Sequence, residues 1–163
     1  MLHIVLVEPE IPANTGNVAR TCAATGAHLH LIRPLGFDVS DAAVRRAGLD
    51  YWPLVHLTIH DSLQDLFAQE KPQSYWLFST KAPRIYTEVS YSEDAWLFFG
   101  KETKGLPEDF LRANAAHCLR IPMRAEARSL NLGNSVALVT YEALRQQNFP
   151  YLIGQGRMIE WET

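Results

Sequence analysis

The sequence predicts an α/β domain with a mostly parallel sheet flanked by helices. Short apolar runs rich in Ile, Val, Leu and aromatic residues alternate with helical patterns along the chain, the signature of βα units. The polar clusters fall where a strand gives way to a loop or helix, which is where open parallel sheets bind ligands. At 163 residues, 47% of them hydrophobic, the chain suffices for one well-filled domain. We assign that domain to residues 1–150 and a poorly patterned tail to 151–163, with no repeat or linker in between.

The first strand is expected at His3–Val7, stopped by the acidic and proline residues of EPEIP. NTGNVARTCAATG reads as a helix, with Asn14 or Thr15 as its cap and Gly26 closing it. A strand His28–Ile32 follows and ends at Pro34. DAAVRRAGLDYWP predicts a short helix ending at Gly48, and Leu54–Thr58 a third strand. Ser62–Gln69 reads as a helix, Tyr75–Ser79 and Ala95–Phe99 as buried strands, and Leu106–Ala113 as a helix. Cys118–Ile121 is the last expected strand, and Asn131–Gln147 a long C-terminal helix.

Composition narrows the function. The formal net charge is −3, which disfavours a protein that holds nucleic acid by bulk charge, so an RNA partner would need a local basic face. Arg45, Arg46 and the regularly spaced Arg120, Arg124 and Arg128 are candidates for it. The two cysteines, Cys22 and Cys118, lie far apart in apolar surroundings and read as buried small hydrophobes. The six histidines are dispersed along the chain, so no metal site is expected. No apolar run is long enough to span a membrane and the N-terminus lacks a signal-peptide pattern; a cytoplasmic protein is expected.

Three clusters carry the chemistry. Asn14 and Arg20 lie six residues apart in the first helix pattern and are expected to point across the same edge of the sheet. Phe99-Gly100-Lys101-Glu102-Thr103-Lys104-Gly105-Leu106-Pro107 suits a ligand held by main-chain groups, because glycine permits close approach and positive φ. It matches neither a Walker A loop nor a dinucleotide fingerprint, so neither ATP nor a nicotinamide cofactor is indicated. Ser129, Asn131, Asn134 and Ser135 exceed what one helix cap requires; they offer uncharged donors and acceptors suited to an adenosine-like ligand.

In this order, EPEIPANTGNVAR, RRAGLDYW, GKETKGLP and IPM…RSLNLGNSVALVTYEA resemble the motifs of SPOUT methyltransferases, specifically the TrmH-like branch that methylates ribose 2′-hydroxyls. The resemblance runs from residue 2 to about residue 150 and implies a C-terminal trefoil knot, a homodimer and an active site near the subunit interface. It implies S-adenosyl-L-methionine as methyl donor, S-adenosyl-L-homocysteine as product, and tRNA as substrate. The expected target is the wobble nucleotide of the anticodon region, a cytidine or modified uridine, and no metal is required. Cofactor contacts would fall to Phe78, Ser79, Thr80, Gly100, Glu102, Ile121, Met123, Ser129 and Leu130. Catalysis or substrate placement would fall to Arg20, Asn14, Ser129, Asn131 and Glu102. An arginine guanidinium stays protonated in proteins, so Arg20 is read as a cation for a developing alkoxide or a phosphate rather than as the base. Glu102 would bind the cofactor or orient Arg20. The alternative is a non-catalytic RNA-binding protein on the same fold.

Overall fold

A computed structural model describes residues 1–40, 42–48 and 51–158. Its sheet has six strands: β1 (His3–Val7), β2 (His28–Ile32), β3 (Leu57–His60), β4 (Tyr75–Phe78), β5 (Trp96–Phe99) and β6 (Cys118–Leu119). They lie in the order β3-β2-β1-β5-β4-β6, and every pairing is parallel. Five helices connect and cover them: α1 (Pro12–Thr25), α2 (Ala42–Gly48), α3 (Leu63–Glu70), α4 (Glu108–Ala113) and α5 (Leu132–Gln146).

The alternation of strand side chains fills a core on each face, as expected of a parallel sheet covered on both sides. Ile4, Leu6, Leu29, Leu31, Leu97 and Phe99 face one way, against Val18 and Cys22 of α1 and Val136, Val139 and Ala143 of α5. Val5, Val7, Ile32, Leu77 and Phe98 face the other, against Leu66 of α3 and Leu111 of α4. Cys22 and Cys118 are buried and unpaired, as their apolar neighbours in sequence imply.

Several boundaries differ from the sequence expectation. Helix α1 starts at Pro12, whose fixed φ suits a first turn, and Ile11 occupies its cap without a side-chain bond. Asn14 is therefore inside the first turn, and its side chain is released for the site. Strand β3 starts at Leu57 because Trp52–Leu54 forms a 3₁₀ turn first, with Val55 N–H donating to the Trp52 carbonyl at 3.1 Å. Pro107 caps α4, which delays that helix to Glu108. The other expectations hold to within a residue or two. Gly26 closes α1 with φ +77°, the Ser62 Oγ accepts from Asp65 N–H at 3.0 Å to cap α3, and Asn131 caps α5. Asp41, Leu49 and Asp50 of the second helical pattern, and Ile159 and Trp161 of the tail, lie outside the described residues. Arg120 is the parallel-bridge partner of Ile85, and Arg124 and Arg128 follow it in a stretch outside any helix, so their spacing makes no helix face.

Candidate active site

The ends of β4, β5 and β6 come together in register: Phe78 pairs with Phe99 and with Leu119. The chain segments that follow them, with the starts of α1 and α5, enclose a cavity of about 550 Å³. The Phe78 and Phe99 rings stack at 4.8 Å, close to parallel, at its floor.

One wall is the loop from Gly100 to Leu106. It doubles back on itself, with Gly105 N–H donating to the Lys101 carbonyl at 2.8 Å. Gly105 sits at φ +70°, in the left-handed region that glycine enters without strain. At Gly100 the reason for glycine is steric, since a Cβ there would lie 2.0 Å from the Gly105 carbonyl carbon and 2.1 Å from Leu106 N.

Glu102, in the same loop, reaches the start of α1. Its carboxylate accepts from Glu10 N–H at 2.8 Å, from Ile11 N–H at 3.0 Å and from the Asn14 side-chain amide at 3.3 Å. An anion at a helix N-terminus answers donors that no helical carbonyl can reach, and it complements the helix dipole. The Glu102 carboxylate thus satisfies the backbone N–H groups of the two residues that lead into α1. Its partners are the two residues ahead of α1 and Asn14 in the first turn, not Arg20. Thr103 Oγ1 adds a second tie, donating to Glu10 Oε1 at 2.6 Å.

Asn14 passes the connection on. Its Oδ1 accepts from Asn131 Nδ2 at 3.0 Å, while Asn131 Oδ1 accepts from Asn134 N–H at 3.2 Å. Three segments far apart in sequence are joined by this run of Glu102, Asn14 and Asn131. Gly133 lets the two helices meet there, for a Cβ on it would lie 3.3 Å from Asn17 Cβ. Replacing Glu102 by Ala leaves two backbone donors and one amide without their acceptor. We expect a loss of about 1–3 kcal/mol, seen in thermal melts as a drop of roughly 2–4 °C for each kcal/mol. Glu102→Gln, which keeps one acceptor oxygen, loses less.

All of the residues expected to contact the cofactor line the cavity: Phe78, Ser79 and Thr80 after β4, Gly100 and Glu102 after β5, Ile121 and Met123 after β6, and Ser129 and Leu130 ahead of α5. Asn14 and Asn131 line it too. Arg20 does not: it is exposed, and its guanidinium lies 4.7 Å from the centre of the Tyr51 ring. Six residues of α-helix turn through about 240° beyond a full revolution, so Asn14 and Arg20 leave α1 in different directions. The expectation that they share an edge is corrected accordingly.

Sequence reasoning passed over Lys81, Ile11 and Leu111, which also line the cavity. No local pattern marks them: Lys81 follows β4, Ile11 stands at the cap of α1, and Leu111 comes from α4. With Lys101, Lys104 and Arg128 opposed by the single acid Glu102, the described lining is basic although the whole chain is not.

The match to the SpoU rRNA methylase family spans residues 1–141. A tRNA (cytidine(34)-2′-O)-methyltransferase of Escherichia coli is 47% identical over 151 residues, 92% of this chain and 96% of its own. A solved structure bearing on the 2-OH methylation of C/U34 on tRNA superposes with a TM-score of 0.85, at 48% identity over 91% of this chain and 97% of that one. An AdoMet-bound rRNA methyltransferase from Sinorhizobium meliloti aligns with a TM-score of 0.79 and 25% identity, over 88% of this chain and 56% of that one. A family match across most of the chain, with near-half identity along almost all of it, has one reading: this chain belongs to the SpoU rRNA methylase family.

Proposed function

We propose that this chain transfers a methyl group from S-adenosylmethionine to the ribose 2′-hydroxyl of the tRNA nucleotide at position 34, the position at which the similar proteins act. One observation carries the reading. The residues that four separate sequence segments offer for such a cofactor converge on a single cavity at the carboxyl ends of the strands.

The residues present fit that cofactor. The backbone at Gly100 leaves no room for a side chain, which allows main-chain groups to approach a ligand closely. Ile121, Met123 and Leu130 offer apolar surface for a flat base, and Ser79, Thr80, Ser129 and Asn131 offer uncharged donors and acceptors. A volume near 550 Å³ lies in the range of small-molecule sites. The bound cofactor supplies an electrophilic methyl on a sulfonium. The chain's task is then to hold the ribose oxygen in line and to keep the site ordered, and positioning alone is worth about 7–11 kcal/mol in favourable systems. Asn14 and Asn131, each fixed by its partners, orient the donor and the ribose. Arg20 stays outside the cofactor cavity and serves the RNA as a cation. Methyl transfer of this kind needs no metal.

We place the active unit in a homodimer. Leu138 and Tyr141 leave large apolar surface exposed on α5, and Leu130 and Ile11 do so beside the cavity, which supports a partner covering this side. A chain whose net charge is −3 also gains from a second copy of its basic lining when it holds RNA. Strand β6 lies at the sheet edge while α5 packs against α1, so residues 120–131 cross the ends of β4 and β5. That path supports the trefoil knot expected of the SPOUT fold. No described helix is long and apolar enough to cross a membrane. We place the activity in the cytoplasm, with its tRNA substrate.

The test is incubation with unmodified tRNA and labelled S-adenosylmethionine, followed by nuclease digestion and mass spectrometry. One methyl on the ribose of nucleotide 34 is expected. A methyl on a base, or on another nucleotide, overturns the assignment. RNA binding without heat from S-adenosylmethionine, and without competition by S-adenosylhomocysteine, points instead to the non-catalytic reading.

A further inference from the structure

Parallel pairing gathers histidines that are scattered in sequence. His3 and His28 open β1 and β2 and are directly paired in register, at the end of the sheet remote from the cofactor cavity. His30 follows on the same face of β2, and His60 ends β3 beside it. His3 Nδ1 and His30 Nε2 are 3.0 Å apart, and His30 Nδ1 and His60 Nε2 are again 3.0 Å apart. One ring nitrogen from each of His3, His28 and His30 lies within 4.8 Å of the other two.

We infer that His3, His28 and His30 form a binding site for one divalent transition-metal ion of the zinc class, separate from the methyl-transfer cavity. Three imidazoles with an open fourth position are a donor set that suits Zn²⁺, Co²⁺, Ni²⁺ or Cu²⁺ and not Mg²⁺ or Ca²⁺. The far nitrogens of His28 and His30 already have hydrogen-bond partners, as they do in metal sites, where a second partner fixes the tautomer. His28 Nε2 is 2.8 Å from Thr58 Oγ1, which leaves Nδ1 for the metal. His30 Nδ1 is held by His60, which leaves Nε2, the nitrogen that faces His3. The Trp96 indole stacks on the His3 ring at 3.9 Å and 3°, fixing it in place.

Tetrahedral ligation at about 2.0–2.1 Å separates neighbouring nitrogens by roughly 3.4 Å, close to the spacing that His3 and His30 already have. The His28 ring now stacks on His30 at 4.1 Å, so this half-buried ring has to turn away from that stack to ligate. The 3.0 Å contact between His3 Nδ1 and His30 Nε2 is a hydrogen bond in which one ring donates, so the ion would displace that proton as it binds. A Glu70 carboxylate oxygen within 4.8 Å of nitrogens of His30 and His60 adds a nearby negative charge. Such an ion would staple β1 to β2 and leave the methyl-transfer chemistry untouched.

The experiment uses the untagged full-length protein, stripped with chelator and titrated with Co²⁺ and Zn²⁺. One Co²⁺ per chain with visible absorption of tetrahedral intensity, displaced by Zn²⁺ and not by Mg²⁺, is expected. Zn²⁺ should also raise the melting temperature, since an ion bound only by the folded chain stabilises it. His3→Gln and His28→Gln, both at half-buried positions, should each weaken Zn²⁺ by about tenfold or more, whereas His117→Gln at the other sheet edge should not. The proposal is overturned if Co²⁺ binding does not saturate near one per chain, or if His3→Gln and His28→Gln bind Zn²⁺ as tightly as the unsubstituted protein.

Discussion

Gly100→Ala is expected to abolish measurable binding of S-adenosylhomocysteine and to reduce methyl transfer by two orders of magnitude or more. The new Cβ would fall 2.0 Å from the Gly105 carbonyl carbon, 2.1 Å from Leu106 N and 2.5 Å from Gly105 Cα. All three are backbone atoms, so no rotamer relieves the clash and the loop has to open. Overpacking of this kind costs about 1–3 kcal/mol, which the fold tolerates. The site does not, because a misplacement of about 1 Å can cost 10²-fold in rate. Opening the loop also withdraws Glu102 and Thr103 from Glu10 and Ile11, and so loosens the start of α1 that holds Asn14. Gly26→Ala is the control: its φ is +77° but nothing lies within 4 Å of the added carbon. That variant should lose about 1 kcal/mol and keep cofactor affinity. Calorimetric titration with S-adenosylhomocysteine and thermal melts on both variants separate the effects. Cofactor binding by Gly100→Ala within a few-fold of normal would remove the loop from the cavity wall.

Strands β1, β2, β4 and β5 were legible because each is a short apolar run bounded by turn residues, and burial on both faces of a parallel sheet demands such runs. Strand β3 was legible in kind but not in its bounds, because LVHLTIH begins at Leu54, the last residue of the 3₁₀ turn, and nothing local marks where extension begins. The glycine loop and the polar run before α5 were readable as ligand-binding in kind, since each has more polar or glycine positions than a turn requires. Their joining through Glu102, Asn14 and Asn131 was not readable. A carboxylate that binds the lead-in to a helix ninety-odd residues away leaves no spacing signal. The same holds for the histidines, whose separations in sequence say nothing until β1, β2 and β3 lie side by side.

Arg20→Lys is expected to lose methyl transfer by about 10²-fold or more, the scale seen when a group stabilising transition-state charge is removed, while S-adenosylhomocysteine affinity is unchanged. The two halves of that result come from separate observations. Cofactor affinity should hold because Arg20 is absent from the cavity lining and stands on the exposed side of α1. Turnover should fall although the charge is kept, because the guanidinium sits over the Tyr51 ring, where its plane and its fork of donors are oriented together. A lysine ammonium neither stacks in that way nor offers two parallel donors to a phosphate or an alkoxide. Tyr51→Leu should therefore act in the same direction and more weakly, lowering kcat without moving cofactor affinity, since it frees the Arg20 side chain but leaves it present. Near-normal turnover by Arg20→Lys would reduce the role to charge alone. A parallel loss of S-adenosylhomocysteine binding would place Arg20 on the cofactor instead of the RNA. Because a guanidinium does not give up its proton, an inactive Arg20→Lys protein would put the loss in the fork of parallel donors to the ribose oxygen or a phosphate, with proton removal left to a phosphate or water that the bound RNA brings.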